Sequence, residues 1–172
     1  MITAILFLLS GPMVASATVV DRIAAQVDDQ LVLSSDVRLE ERLSTLDPSP
    51  SPFWSADHKT AMERLIDAAM IRLAAGDIDI YQPSDTDVNA RRLAVRERVG
   101  DTDWTLFLVQ MGQTEPSLNT VLRRRMIVER YLGRNNQTDK ADPQAWLATC
   151  NDMVEQLQAR SRVRRIELQS QP

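Results

Sequence analysis

Few side chains in this sequence combine the types and spacing that catalysis or metal binding requires. The 172 residues include one histidine, His58, and one cysteine, Cys150, so the chain offers neither an imidazole pair nor an internal disulfide. Asp85 and Asp87 occur where a helix is expected to begin, and carboxylates there interact favourably with the helix dipole. The sequence has no Gly-rich phosphate loop, metal-spaced ligand set or nucleophile elbow. We therefore expect no enzymatic activity, no cofactor and no metal site.

Composition and charge restrict the class of protein further. A hydrophobic fraction of 44% with 26% charged residues is typical of globular chains, and only 5 glycines with 5% aromatic residues favour helices over an all-β sandwich. The net charge of −4 disfavours a nucleic-acid-binding surface, which usually needs a strongly basic face. The one basic cluster, Arg123–Arg125, is expected on the solvated flank of a helix.

The N-terminal residues resemble a secretory signal peptide. An apolar run, Ile2–Leu9, precedes small residues at positions 15 and 17, which predicts a signal peptide over residues 1–17 with cleavage after Ala17. The run is shorter than the ~20 apolar residues that span a bilayer. Because no Lys or Arg precedes it, a start upstream of Met1 and a buried N-terminal helix stay as alternatives. Export predicts a periplasmic location, with no stable membrane insertion after cleavage.

Residues 18–172 are expected to form a single, mainly α, compact multi-helix domain. The β-branched residues around Asp28-Asp29 predict an N-terminal hairpin, and Val163–Leu168 predicts a C-terminal strand that joins it in a small β-sheet, since a lone hairpin is only marginally stable. Apolar periodicity and caps predict six helices. Their expected ranges are roughly 34–43, 57–75, 85–99, 101–111, 115–132 and 143–157.

The connecting segments and one helix face are also predicted. The spaced prolines of residues 47–52 favour an extended connector, and Ile78–Tyr81 is expected to be extended. Residues 133–142 lack periodicity and are expected to form a short exposed loop. Trp146 and Cys150 share a helix face, which predicts that Cys150 is a buried small apolar residue.

Three segments in this order resemble the N-terminal domain of SurA and related PpiC/PpiD-type chaperones. The first, Val20–Leu43, resembles the opening hairpin and capped helix of the family. The second, Met62–Arg92, resembles its Leu-Ile-Asp helix, short link and Ser-Asp-capped helix. The third, Trp104–Leu132, resembles the helix, Gly turn and long helix that close the domain. The final Trp146 helix and C-terminal strand resemble the segment that folds back onto this domain.

The chain departs from the family where the parvulin-type isomerase domains would be inserted. Family members carry one or two such domains between the long helix and the final segment. Residues 133–142 stand at that position here, and ten residues cannot hold a parvulin domain. The resemblance therefore implies the binding core without prolyl-isomerase activity.

What the resemblance implies is a periplasmic holdase-type chaperone. Its expected partners are unfolded or partly folded envelope proteins, including outer-membrane β-barrel precursors, held by an apolar groove. Seven methionines suit such a groove because thioethers adapt to varied partners. We expect the fourth and fifth helices to line it, through Phe107, Met111, Leu122 and Met126. The alternative for these methionines and aromatics is that they fill the core.

A second hypothesis keeps the fold but changes the use. In it, the chain is an envelope interaction or assembly adaptor that docks one dedicated partner tightly. A general chaperone instead binds many apolar peptides weakly and with little sequence preference.

Overall fold

The computed structural model describes residues 21–139 and 141–166; the predicted signal peptide lies outside this range. Three strands and six α-helices follow one another along the described chain. The strands are β1 (Ile23–Val27), β2 (Gln30–Leu33) and β3 (Val163–Arg165). The helices are α1 (Ser34–Leu46), α2 (Ala61–Ala75), α3 (Asp85–Val99), α4 (Asp101–Gln110), α5 (Glu115–Asn135) and α6 (Pro143–Gln158). The expected fold class, mainly helical with a small sheet, is confirmed.

The small sheet joins the N-terminal hairpin to the last strand. Its order is β2-β1-β3 and both pairings are antiparallel. Val27 pairs with Gln30 across the two-residue turn, in which Asp28 takes a left-handed φ of 51°. Such a φ suits the tight turns that match strand twist, and Asp accepts it more readily than most residues. Both outer strands, β2 and β3, are therefore edge strands of this sheet.

Two apolar clusters form the core, and α5 contributes to both. Leu118 and Leu122 lie in a cluster with Leu39 of α1 and residues of α3 and α4. One and a half turns further along, Val128 and Leu132 lie in a larger cluster with α2, α6 and the sheet. Residues three and four apart on a helix share a face. The same face of α5 therefore contacts one cluster in the first half of the helix and the other cluster in the second half.

The second helix begins later than expected. The sequence predicts a start near Asp57, whereas α2 begins at Ala61. Thr60 and Glu63 form a reciprocal capping box: the Thr60 hydroxyl accepts from the Glu63 N–H at 3.3 Å, and the Glu63 carboxylate accepts from the Thr60 N–H at 3.1 Å. Residues 57–60 therefore precede the helix. The N–H groups of the first helical turn have no acceptor inside the helix, and the Thr60 hydroxyl accepts from one of them.

Three further expectations about local structure are corrected. Asp79–Tyr81, expected to be extended, is a 3-10 helix, and a second 3-10 helix, Pro52–Trp54, begins at the last residue of the proline-rich connector. The expected loop over residues 133–142 begins only after α5 ends at Asn135. Asn136 is buried rather than exposed, because its side-chain amide donates to the Trp146 carbonyl at 2.8 Å.

Candidate functional site

A network of six charged side chains, four of them buried and two partly buried, lies between the two apolar clusters. Glu40 comes from α1 and Arg64 from α2, while Arg125 of α5 lies between Leu122 and Val128, which belong to different clusters. The network is electrically balanced, since it contains three guanidinium groups and three carboxylates. We call it the buried charge network, and its members are Glu40, Asp47, Arg64, Arg91, Arg125 and Glu129.

Glu40 and Asp47 connect the three arginines of this network. The Arg64 Nε donates to Glu40 Oε1 at 2.9 Å, and Arg125 donates to the second oxygen of the same carboxylate. Arg125 Nε also donates to Asp47 at 2.8 Å, and Arg91 donates to Asp47 at 2.9 Å. Because the partners come from α1, α2, α3 and α5, the network fixes these helices relative to one another.

At its outer end the network reaches Glu129. Arg91 donates to Glu129 at 2.6 Å, and the Ser49 hydroxyl donates to the same carboxylate at 2.6 Å. Burial raises the pKa of Glu129 above its ordinary value even though the Arg91 charge acts in the opposite direction. Desolvation therefore outweighs pairing at this end of the network.

The position of Arg125 corrects the expectation for the basic cluster. Arg123–Arg125 was expected on a solvated flank, but Arg125 is only 3% exposed. Its guanidinium carbon also lies 4.0 Å from the centroid of the Trp54 ring, a distance at which a cation is attracted to the ring face. Arg123 and Arg124 do reach the surface, and Arg123 bonds to the Pro83 carbonyl at 2.7 Å.

A cleft beside edge strand β2 leads down to the buried charge network. Its free volume is about 50 Å³, and one water occupies roughly 10–15 Å³ by this measure, so one side chain of moderate size fits. We call it the β2 cleft. Its apolar walls include Leu31, Leu39, Trp54, Leu65 and Val121, and its charged residues are Asp36, Glu40, Arg72, Arg124 and Arg125.

Two residues that line the β2 cleft have a buried donor without an acceptor in the described structure. They are Trp54, through its indole Nε1, and Arg125, through its Nη2. Leaving a buried donor unsatisfied costs roughly 1–3 kcal/mol. Six other buried side-chain atoms of the described residues also have no partner, so these two donors do not by themselves mark a ligand site.

At the mouth of the cleft, Arg72 is held in a position that is unfavourable for its charge. The Arg72 guanidinium donates to the Gln30 side-chain oxygen at 2.5 Å, a neutral acceptor. Burial, followed by the nearby charge of Arg124, lowers the pKa of Arg72 to about 10. Arg72 is thus still protonated at neutral pH, next to a second cation.

The four predicted groove residues lie together, but in the core. Phe107 and Leu122 are buried, and Met111 and Met126 are half-buried against the same apolar cluster. Phe107 and Leu122 therefore pack in the apolar cluster with residues of α1 and α3 and do not line an open groove in the described structure. That a peptide contacts any of the four stays a prediction.

The apolar side chains that α4 does expose are different ones. Leu106 and Val109 point to solvent, and Phe107 and Leu106 border a shallow depression with Leu46. The apolar pattern of the sequence does not separate the exposed from the buried apolar residues of α4, because they are distributed around most of the helix. The β2 cleft was missed for another reason: its walls come from five elements, β2, α1, the 3-10 helix Pro52–Trp54, α2 and α5, which span nearly a hundred residues of sequence.

The single cysteine, Cys150, and the single histidine, His58, both pack against other residues of the fold. Cys150 is buried, and the Asn136 amide lies 3.3 Å from its sulfur, as the sequence predicted for a core position. Burial lowers the pKa of His58, and the charges of Lys59 and Arg64 act in the same direction. Within residues 21–139 and 141–166, no cluster of three or more His, Cys, Asp or Glu residues is arranged for a metal ion.

Two further findings concern similarity to known proteins and the capacity of the helices to span a membrane. No protein-family model, curated protein or solved structure matches the chain. In the described part of the chain, none of the helices has both the length and the apolar character needed to cross a bilayer.

Proposed function

We propose that this chain is a peptide-holding module of the chaperone type that binds unfolded envelope proteins without chemistry. The observation that supports it best is the β2 cleft, an apolar cavity at the edge of a sheet, with room for one side chain. An extended client segment would lie along β2 and place alternate side chains toward the cleft. Outer-membrane β-barrel precursors have suitable segments, since their strands alternate apolar and polar residues.

The exposed side chain at the cleft supports this proposal. Leu31 of β2 is 50% exposed although it stands on a strand next to the core. Long, flat, exposed edge strands tend to pair with other chains, and a short one flanked by arginines can select a client without self-association. The SurA-like sequence pattern, the predicted export and the periplasmic location are consistent with such a client.

Suppression of aggregation tests the proposed function. A β-barrel precursor in urea is diluted into buffer with a stoichiometric amount of the full chain and no nucleotide, and light scattering is followed. Leu31→Gln changes the cleft, whereas Leu93→Gln changes a leucine on α3 of similar exposure, 54%, outside the cleft. We expect the native chain and Leu93→Gln to suppress scattering and Leu31→Gln to suppress it less.

The same assay separates the proposed function from its competitors. If the native chain has no effect on several clients, the holdase hypothesis is wrong. If both variants lose activity equally, the binding surface is not the β2 cleft. Tight binding of one partner with indifference to all others would favour the dedicated adaptor.

A further inference from the structure

Two arginines at the mouth of the β2 cleft form no ion pair with a carboxylate among residues 21–139 and 141–166. Arg72 bonds to Gln30, and Arg124 makes no hydrogen bond or ion pair within the described residues, whereas Arg123 and Arg125 beside it both pair with acids. Arg72 and Arg124 also border a common depression with Gln30 and Leu31. Asp36 is the nearby opposite charge that acts on Arg72, but neither guanidinium forms an ion pair in the described part of the chain. Two neighbouring guanidinium groups of this kind can bind carboxylate or phosphate.

The acids nearby limit which anion fits. Asp36 lines the cleft, and its carboxylate accepts from the Leu33 N–H at 2.9 Å, while Glu40 is held by Arg64 and Arg125. Both carboxylates would repel a doubly charged phosphate more strongly than a singly charged carboxylate. The apolar walls lie directly beside the arginines, so the ligand has to join one negative charge to an apolar group.

We propose that the β2 cleft recognises the C-terminal end of an extended client chain, with Arg72 and Arg124 binding the terminal carboxylate and the cavity taking the last apolar side chain. This inference rests on the proposed peptide-holding function and gives it a specificity. The last residue of a protein combines a single negative charge and a side chain within a few bonds, which matches the arrangement of charge and cavity. Internal segments would bind at the same edge more weakly.

Paired peptides test this inference. Two fluorescent ten-residue peptides with the same alternating apolar sequence, one ending in a free carboxylate and one in an amide, are titrated by anisotropy. The native chain, Arg124→Gln and Arg134→Gln are compared. Arg134 is the matched control, since it is also exposed on α5 but lies roughly 15 Å further along the helix.

We expect the native chain and Arg134→Gln to bind the carboxylate peptide about tenfold more tightly than the amide, near the lower limit for hydrogen bonds to a charged group. Arg124→Gln should remove most of this difference and leave the amide affinity unchanged. Equal affinities for both peptides would overturn the inference and leave the proposed function standing. Binding of neither peptide would contradict both. Binding of phosphatidylglycerol vesicles in place of the peptides would assign the arginines to a lipid headgroup and overturn the inference.

Discussion

Glu40→Gln is the substitution that tests the buried charge network most sharply. Glu40 is 2% exposed, and its carboxylate accepts hydrogen bonds from Arg64 and Arg125, which are equally buried. The amide keeps the shape but removes the charge, and its NH₂ group faces a guanidinium donor. Arg125 retains Asp47 at 2.8 Å, whereas Arg64 retains only the backbone carbonyls of residues 55 and 59.

The expected magnitude follows from these contacts. Removing one partner of a buried ion pair costs about 3–5 kcal/mol, because the remaining charge is buried without compensation. The amide oxygen still accepts one hydrogen bond, contributing roughly 1 kcal/mol, so we expect about 3 kcal/mol of destabilisation. In a domain of this size that lowers the melting temperature by roughly 6–12 °C.

Urea unfolding and calorimetry of Glu40→Gln and Glu41→Gln measure this effect. Glu41 is the next residue on α1 and is exposed, so its substitution should change stability by less than about 0.5 kcal/mol. If both variants unfold at the same urea concentration as the native chain, Glu40 does not compensate Arg64 and Arg125. A double variant, Glu40→Gln with Arg64→Met, should recover part of the loss, since the uncompensated cation is removed.

Two further predictions concern the core and the single histidine. Trp146 is 1% exposed in the larger apolar cluster, so Trp146→Ala should cost about 3–5 kcal/mol, and an unchanged melting temperature would show that it is not a core anchor. Because burial lowers the pKa of His58 below 6.5, the unfolded chain takes up the proton first, so stability should be complete above pH 6.5 and fall as the pH drops below it. The urea midpoint of His58→Gln should lack that part of the decline, and parallel pH profiles for the two proteins would refute the assignment.

Much of the fold was predictable because local patterns and long-range packing agree. Thr114 and Pro116 mark the start of α5, and the paired strands at Asp28-Asp29 were visible from β-branched residues and a turn. The start of α2 was also readable, because Thr60 and Glu63 have the Thr-x-x-Glu spacing of a capping box, but Asp57 is an acceptable cap too and favours an earlier start.

The charge network was partly visible in the sequence. Arg125 lies in register with the apolar stripe of α5, between Leu122 and Val128, and an arginine at a core position requires buried acids. Its partners could not be named, since Asp47 and Glu40 are 78 and 85 residues away. The β2 cleft shares this difficulty because its walls meet only after the sheet and three helices have packed.

Photo-crosslinking from position 31 tests whether an unfolded client binds in the β2 cleft. A photoreactive residue replaces Leu31 in one protein and Val109, the exposed apolar residue of α4, in another, and each is illuminated with an unfolded β-barrel precursor. We expect client adducts from position 31 that a free-carboxylate peptide displaces, and few adducts from position 109. Adducts from position 109 alone would contradict this expectation and place the client on α4.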